Sequence, residues 1–184
     1  MNRSVFVIAT AFCLAASASG CAANDGKARA TTTPIKKGIN MNTAQASSET
    51  VKQFFAAFGK GDVEGIVGTF DPAATIVAVR AGEREHDELY GSYRGKQGAR
   101  EFVANLGRTF DTQAFSVDAI LAEGDTAFAR GSFTHKVKAT GNLYSSDWAL
   151  TCVVRNGKIV EYRFFEDSAS FARANTAPGL ASAP

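Results

Sequence analysis

Two histidines and three cysteines in 184 residues leave little from which to build a metal centre, and they exclude a disulfide-dense scaffold. Net charge is nearly absent. The chain carries 20 Lys and Arg against 18 Asp and Glu, with no basic stripe, which argues against a nucleic-acid partner. No apolar run reaches the roughly 18–20 residues that a membrane-spanning helix needs. There is no Gly-rich phosphate loop and no sequence signature of a Ser-His-Asp nucleophile, so no cofactor is expected. A single Trp and four Tyr contrast with 14 Phe, which points to a core of plain apolar rings. Apolar residues at 45% and charged residues at 21% are those of a globular domain, not of a chain disordered throughout.

The ends differ from the middle. Residues 1–20 have a basic Arg3, a short apolar run from Val5 to Ala16 and small residues after it, the layout of a secretory signal peptide. Ala18-Ser19-Gly20-Cys21 resembles a bacterial lipobox, with Ala18 where Leu is usual; ordinary cleavage after Ala16-Ser17-Ala18 is the alternative. The expectation is an exported protein on the periplasmic side of the cell envelope, anchored through lipid on Cys21. Residues 21–46 hold almost no large apolar side chain and read as the lipidated Cys and a disordered tether; 174–184 read as a disordered tail. The domain is expected at 47–173, with Cys152 as a small core residue.

Inside it, Val51/Phe54/Phe55/Phe58, Val63/Ile66/Val67/Phe70 and Ala99/Phe102/Val103/Leu106 each predict one amphipathic helix. Ser47 or Ser48 and Asp62 serve as N-caps of the first two. Strands are predicted at Thr75–Arg80, Ala114–Ala122, Thr126–Lys138, Leu143–Arg155 and Ile159–Ser168. Asn156-Gly157 has the composition of a tight type I′ hairpin. The charged segment 81–94, with His86, Tyr90 and Tyr93, is a solvated connection or a pocket lid, and Tyr93 in it is a candidate ligand contact.

A two-residue turn at Asn156-Gly157 pairs Cys152 with Glu161, Leu150 with Arg163, Trp148 with Phe165 and Ser146 with Asp167. A two-residue turn at Thr140-Gly141, or a four-residue one there, pairs His135 with Ser146 and Phe133 with Trp148. Phe133, Trp148 and Phe165 then form an aromatic wall on the more apolar face. His135, Glu161, Arg163 and Asp167 are the polar exceptions on it, costly unless paired or at a wet cavity. His135 and Asp167 fall roughly 10 Å apart at the backbone. Val160, Tyr162 and Phe164 fall on the opposite face as a candidate homodimer contact. The alternatives are a core role for His135, a Glu161–Arg163 pair, and Asp167 as the N-cap of a final helix.

GDVEGIVGTFDPAA (61–74), YRGKQGAREFV (93–103), AEGDTAFARGSF (122–133) and RNGKIVEYRFFEDSA (155–169) in this order resemble the SnoaL-like branch of the nuclear transport factor 2-like, or ketosteroid-isomerase-like, superfamily. The resemblance implies an α+β, cone-like fold. Its strongly curved antiparallel sheet would carry three N-terminal-half helices on the concave face around a pocket, and sheet faces would form a dimer. It also implies that a carboxylate at the Asp167 position serves as general base in some enzymatic members. Two functions are therefore expected. One is binding of a small apolar ligand or an envelope partner in the pocket, with Trp148, Phe133, Phe165, Arg163 and Tyr93 as contacts. The other is an isomerase, cyclase or hydrolase using Asp167 as base and His135 as proton partner or oxyanion donor.

Overall fold

Residues 41–85 and 87–176 are described by a computed structural model of the chain. Helix α1 runs Met41–Gly59. It begins six residues before the expected domain boundary, and neither Ser47 nor Ser48 caps it. The cause is local. Ser47 and Thr50 donate their hydroxyls to the carbonyls of Thr43 and Ala46, one turn back, and Ser47 also reaches the carbonyl of Gly124 at 3.0 Å. That contact ties the early turn to a hairpin, so the end of the presumed tether is helix. Val51 and Phe54 are buried, as the spacing predicts. The helix closes through Gly61 at φ +65, whose N–H donates to the carbonyl of Phe58.

Helix α2 (Val63–Gly68) is capped by Asp62, whose carboxylate accepts from the N–H of Gly65 at 2.9 Å. Strand β1 is Phe70–Ala78 and β2 is Gly91–Arg94, the latter inside the stretch read as loop. Helix α3 (Gly95–Thr109) buries Ala99 and Phe102 and runs past Gly107. The predicted strand at Ala114–Ala122 is two strands, β3 (Phe110–Phe115) and β4 (Ala119–Glu123). Both pair with β5 (Thr126–Val137), β4 with its first half and β3 with its second. The chain then makes β6 (Leu143–Arg155), β7 (Lys158–Glu166) and α4 (Ser168–Ala174).

The sheet is open and curved, in the order β2-β1-β7-β6-β5-β3, with β4 also on β5. Its pairs are antiparallel except β1 with β7, which is parallel. Helix α1 packs across β4, β5 and β6, and α3 covers β1 and β2. The α+β architecture, with helices of the N-terminal half on one face of a curved sheet, is the one expected.

Two registers differ from expectation, with different consequences. Between β5 and β6 the turn takes the four residues between Val137 and Asn142 and is centred one residue before Thr140-Gly141, so His135 lies opposite Tyr144, Phe133 opposite Ser146 and Gly131 opposite Trp148. The shift is by two residues, and every side chain keeps its face. Between β6 and β7 the Asn156-Gly157 turn pairs Arg155 with Lys158 and Val154 with Ile159 as expected, but a bulge follows. Val153 pairs with Glu161, leaving Val160 as the extra residue. From there on β7 is reversed. Tyr162, Phe164 and Glu166 face the helices, while Glu161, Arg163 and Phe165 face outward. The dimer patch of Val160, Tyr162 and Phe164 is therefore not a surface, because Tyr162 is buried in the core.

Gly131 shows how tightly the β3–β4 break is held. A Cβ there would lie 2.0 Å from the carbonyl oxygen of Ser116 and 2.7 Å from Trp148 Cζ2. Gly131→Ala should cost about 2 kcal/mol, since overpacking of this kind typically costs about 1–3 kcal/mol. Gly107→Ala, where a Cβ meets nothing within 4 Å, should be neutral or stabilising by up to about 1 kcal/mol. Urea denaturation of both variants checks the pair, and equal losses would contradict this packing.

Candidate functional site

A slot opens between the helices and the concave face. Phe54, Phe55 and Phe58 of α1, Phe102 and Leu106 of α3, and Phe115, Phe133 and Phe164 of the sheet make most of its wall. Its polar members are Tyr90, His135, Tyr162 and Glu166. The free volume is about 40 Å³, room for the centres of a few waters and narrow beside the roughly 300–1,000 Å³ of a drug-sized site.

His135 is 3% exposed and lies flat against Phe133 and Phe110, with ring centroids 4.1 and 4.7 Å apart. Its Nδ1 is buried with no hydrogen-bond partner. Burial alone lowers its pKa to about 4, so the imidazole is neutral at pH 7. Glu166, opposite Trp148, is half-buried. The Tyr90 hydroxyl donates to its Oε1. Burial raises the Glu166 pKa, and the hydroxyls of Tyr90 and Tyr144 pull it down by stabilising the anion. Both tyrosines are pushed well above their usual range, first by burial and then by the Glu166 charge, so they remain donors. Tyr144 also donates to the backbone carbonyl of Asp167 at 3.0 Å.

Val79, in the slot wall, has φ +63, and the N–H of Arg80 donates to the carbonyl of Ala78 across it. A β-branched residue held in such a γ-turn costs on the order of 1–3 kcal/mol, and strain of this size gathers at functional sites.

Of the residues singled out in the sequence, His135 and Phe133 are in the slot wall. Trp148 stands behind it, stacked on Phe115 at 5.2 Å and Phe164 at 5.6 Å, with its Nε1 unpartnered. Tyr93 is buried beneath, its hydroxyl donating to the carbonyls of Glu88 and Leu89, so it anchors the 81–90 loop and does not face the slot. Phe165 and Arg163 are on the outer face, the guanidinium 5.3 Å from the ring centroid, and Arg163 forms no pair with Glu161. Asp167 is exposed and caps α4. Its carboxylate accepts from the N–H of Ser170 at 2.9 Å and from the Ser170 hydroxyl at 2.6 Å, and these bonds lower its pKa. A group so placed is neither in the slot nor basic enough to draw protons there. Cys21 and His86 lie outside the described residues.

Sequence reasoning named neither Glu166 nor Tyr162 as a slot residue, nor Tyr144 beside the slot, and gave Tyr90 only as part of a connection or lid. A signal for two of them, Tyr162 and Glu166, was present. Glu161 and Arg163 alternate with Tyr162 and Phe164, which is a charged-out, aromatic-in pattern. It conflicts by one residue with the pairing that the turn dictates, and a bulge is what reconciles the two.

A curved α+β sheet whose helices enclose a slot with a few polar groups is the architecture of nuclear transport factor 2-like proteins. The SnoaL-like domain profile matches residues 51–162, and the chain belongs to that family. An NTF2-like protein from Burkholderia xenovorans LB400 is similar in structure, with TM-score 0.61 and 24% identity over 72% of this chain and 98% of that one. So is TerC, co-crystallised with polyporic acid, with TM-score 0.61 and 20% identity over 71% of this chain and 98% of that one. An LEH-like epoxide hydrolase from M. tuberculosis has TM-score 0.55 and 12% identity over 71% and 90%. At these identities the likeness is one of fold. No curated protein matches the chain in sequence.

The buried imidazole makes stability pH-dependent. His135 takes up a proton near 6.5 when unfolded and only near 4 when folded. Between those values the unfolded state binds more protons, so stability falls as the pH is lowered. On going from pH 7 to 4 the native protein should lose about 3 kcal/mol more than His135→Phe. Glu166 acts with the opposite sign, since its raised folded pKa favours the acid side, but it does so equally in both proteins. Parallel pH profiles in chemical denaturation would contradict a buried neutral His135.

Proposed function

We propose that this domain binds a small, largely apolar molecule in the aromatic slot and moves a proton on it, with Glu166 as the acid–base group. The observation that carries this reading is a carboxyl with a raised pKa in a wall otherwise made of rings, facing the same slot as an imidazole whose Nδ1 has no partner. Leaving a buried polar group unpaired costs about 1–3 kcal/mol, which a ligand atom bonded to it would recover. A carboxyl whose pKa is raised holds and releases a proton nearer neutrality than an exposed one, which suits proton abstraction beside a carbonyl. Neutral His135 would donate or accept a hydrogen bond at the far side of the ligand, and Glu166 would return to another ligand atom the proton it takes, with the Tyr90 hydroxyl bonded to the carboxylate whenever it is ionised. Asp167 has no part in the step.

The alternative, binding without turnover, is favoured by one observation: Tyr90 already occupies Glu166, as a closed structural network would. The proposal includes location. The Arg3 n-region and the small residues before Cys21 support export and lipid anchoring, with the domain on the periplasmic side. It also includes the homodimer, whose contact would move to the exposed Leu121, Phe128 and Phe165.

Proton transfer is testable without a known substrate. Incubation with a panel of straight-chain and cyclic ketones in D₂O should show catalysed deuterium incorporation beside the carbonyl by mass spectrometry. Glu166→Gln should lose about 10²–10⁴-fold of that rate, and Asp167→Asn should retain it, because Asn caps nearly as well as Asp. Equal losses in the two variants, or no rate above buffer with any ketone, would contradict the reading.

A further inference from the structure

A second and larger hollow, of about 480 Å³, adjoins the slot. Leu89 and Tyr90 line both, so these two side chains are the partition between them. Val137, Ala139 and Phe171 give the outer hollow apolar walls, while Arg80, Asp87, Glu88 and Arg108 stand around it. The partition is fixed at its backbone. The carbonyls of Glu88 and Leu89 are held by the Tyr93 hydroxyl, and Asn105 Nδ2 donates to the carbonyl of Glu88 at 3.0 Å. The Tyr90 ring is packed edge-on to Phe171 at 5.1 Å, and its hydroxyl bonds Glu166.

The two guanidiniums are not equivalent. Arg80 is paired with Glu88 at 2.9 Å. Arg108 donates to the neutral Asn105 Oδ1, and no carboxylate lies within 4.0 Å of it among the described residues. Among the described residues its charge therefore has no carboxylate partner, at the edge of a hollow with apolar walls. Asp87 on the same rim is likewise without an ion pair among the described residues, so the hollow suits one negative charge and disfavours two.

We propose that the outer hollow is a headgroup site for a monoanionic amphiphile, an unbranched carboxylic acid whose carboxylate is held by Arg108 and whose chain passes the Tyr90 ring into the aromatic slot. This rests on the slot being a ligand site and adds the class of ligand. A guanidinium fork matches the geometry of a carboxylate. A slot with about 40 Å³ of free volume suits a thin alkyl chain better than a bulky ring system. Seating the chain turns Tyr90 and releases its bond to Glu166, so the same event frees the acid–base group.

The test compares decanoate with decan-1-ol on the full chain at pH 7.5 by calorimetry, with emission of Trp148, the only tryptophan, as second readout. Decanoate should bind at least about tenfold more tightly than the alcohol, as expected for a charge-assisted hydrogen bond. In Arg108→Gln, which keeps a donor for Asn105, the ratio should fall to near one with the alcohol's affinity unchanged. Arg108→Lys should keep part of it, and Asp87→Asn should raise it. A ratio near one in the native protein, or a ratio that survives Arg108→Gln, overturns the headgroup site and leaves the slot standing as a ligand site. Binding of neither compound overturns this proposal together with an apolar-ligand role for the slot.

Discussion

Ile159 and Tyr162 both point at the helices although they are three positions apart, and strand geometry allows that only if one residue between them is unpaired. Val160 is that residue. Its insertion sends Tyr162, Phe164 and Glu166 inward and Glu161, Arg163 and Phe165 outward. Without it the concave face would receive two charges of opposite sign, and Glu166 would lie in solvent. The composition of the slot is thus a consequence of one extra residue in β7.

What the bulge delivers to the slot is a carboxyl that must be stabilised by its neighbours. A buried carboxylate with no donor would be strongly disfavoured. Glu166 is supplied with a donor from the loop before β2, the Tyr90 hydroxyl, while the Tyr144 hydroxyl of β6 donates to the Asp167 carbonyl and also favours the Glu166 anion. Phe171 of α4 packs against both of these tyrosines. Asp167, next in sequence, holds α4 in place as its cap, and so acts on the site through structure. The two adjacent acids divide their work by the direction of their side chains: the inward one is pushed up by burial, the outward one held down by hydrogen bonds.

How much of this was legible in the sequence depends on the size of each register error. The face of His135 was readable even though its partner was misjudged, because the β5–β6 turn is centred one residue early, which shifts the pairing by two and preserves the alternation. The face of every residue beyond Ile159 was not, because a bulge shifts by one. Local signals were sound: Asp62 caps α2, Asn156-Gly157 makes the turn, and the apolar stripes of α1 and α3 are buried. The site lay beyond them because it combines Tyr90, from a segment whose composition is that of a solvated loop, with Glu166, whose neighbour Asp167 fitted the family pattern better.

The central claim is that Glu166, not Asp167, is the acid–base carboxyl of the slot. Carbon-13 NMR titration of the side-chain carboxyls measures this directly and needs no ligand. The account predicts that Glu166 titrates above the ordinary 4.5 of a glutamate and Asp167 below the ordinary 3.8 of an aspartate, and that Tyr90→Phe moves Glu166 further up, since the lost hydroxyl favoured the anion. A Glu166 that titrates at or below its ordinary value while Asp167 is raised would contradict it.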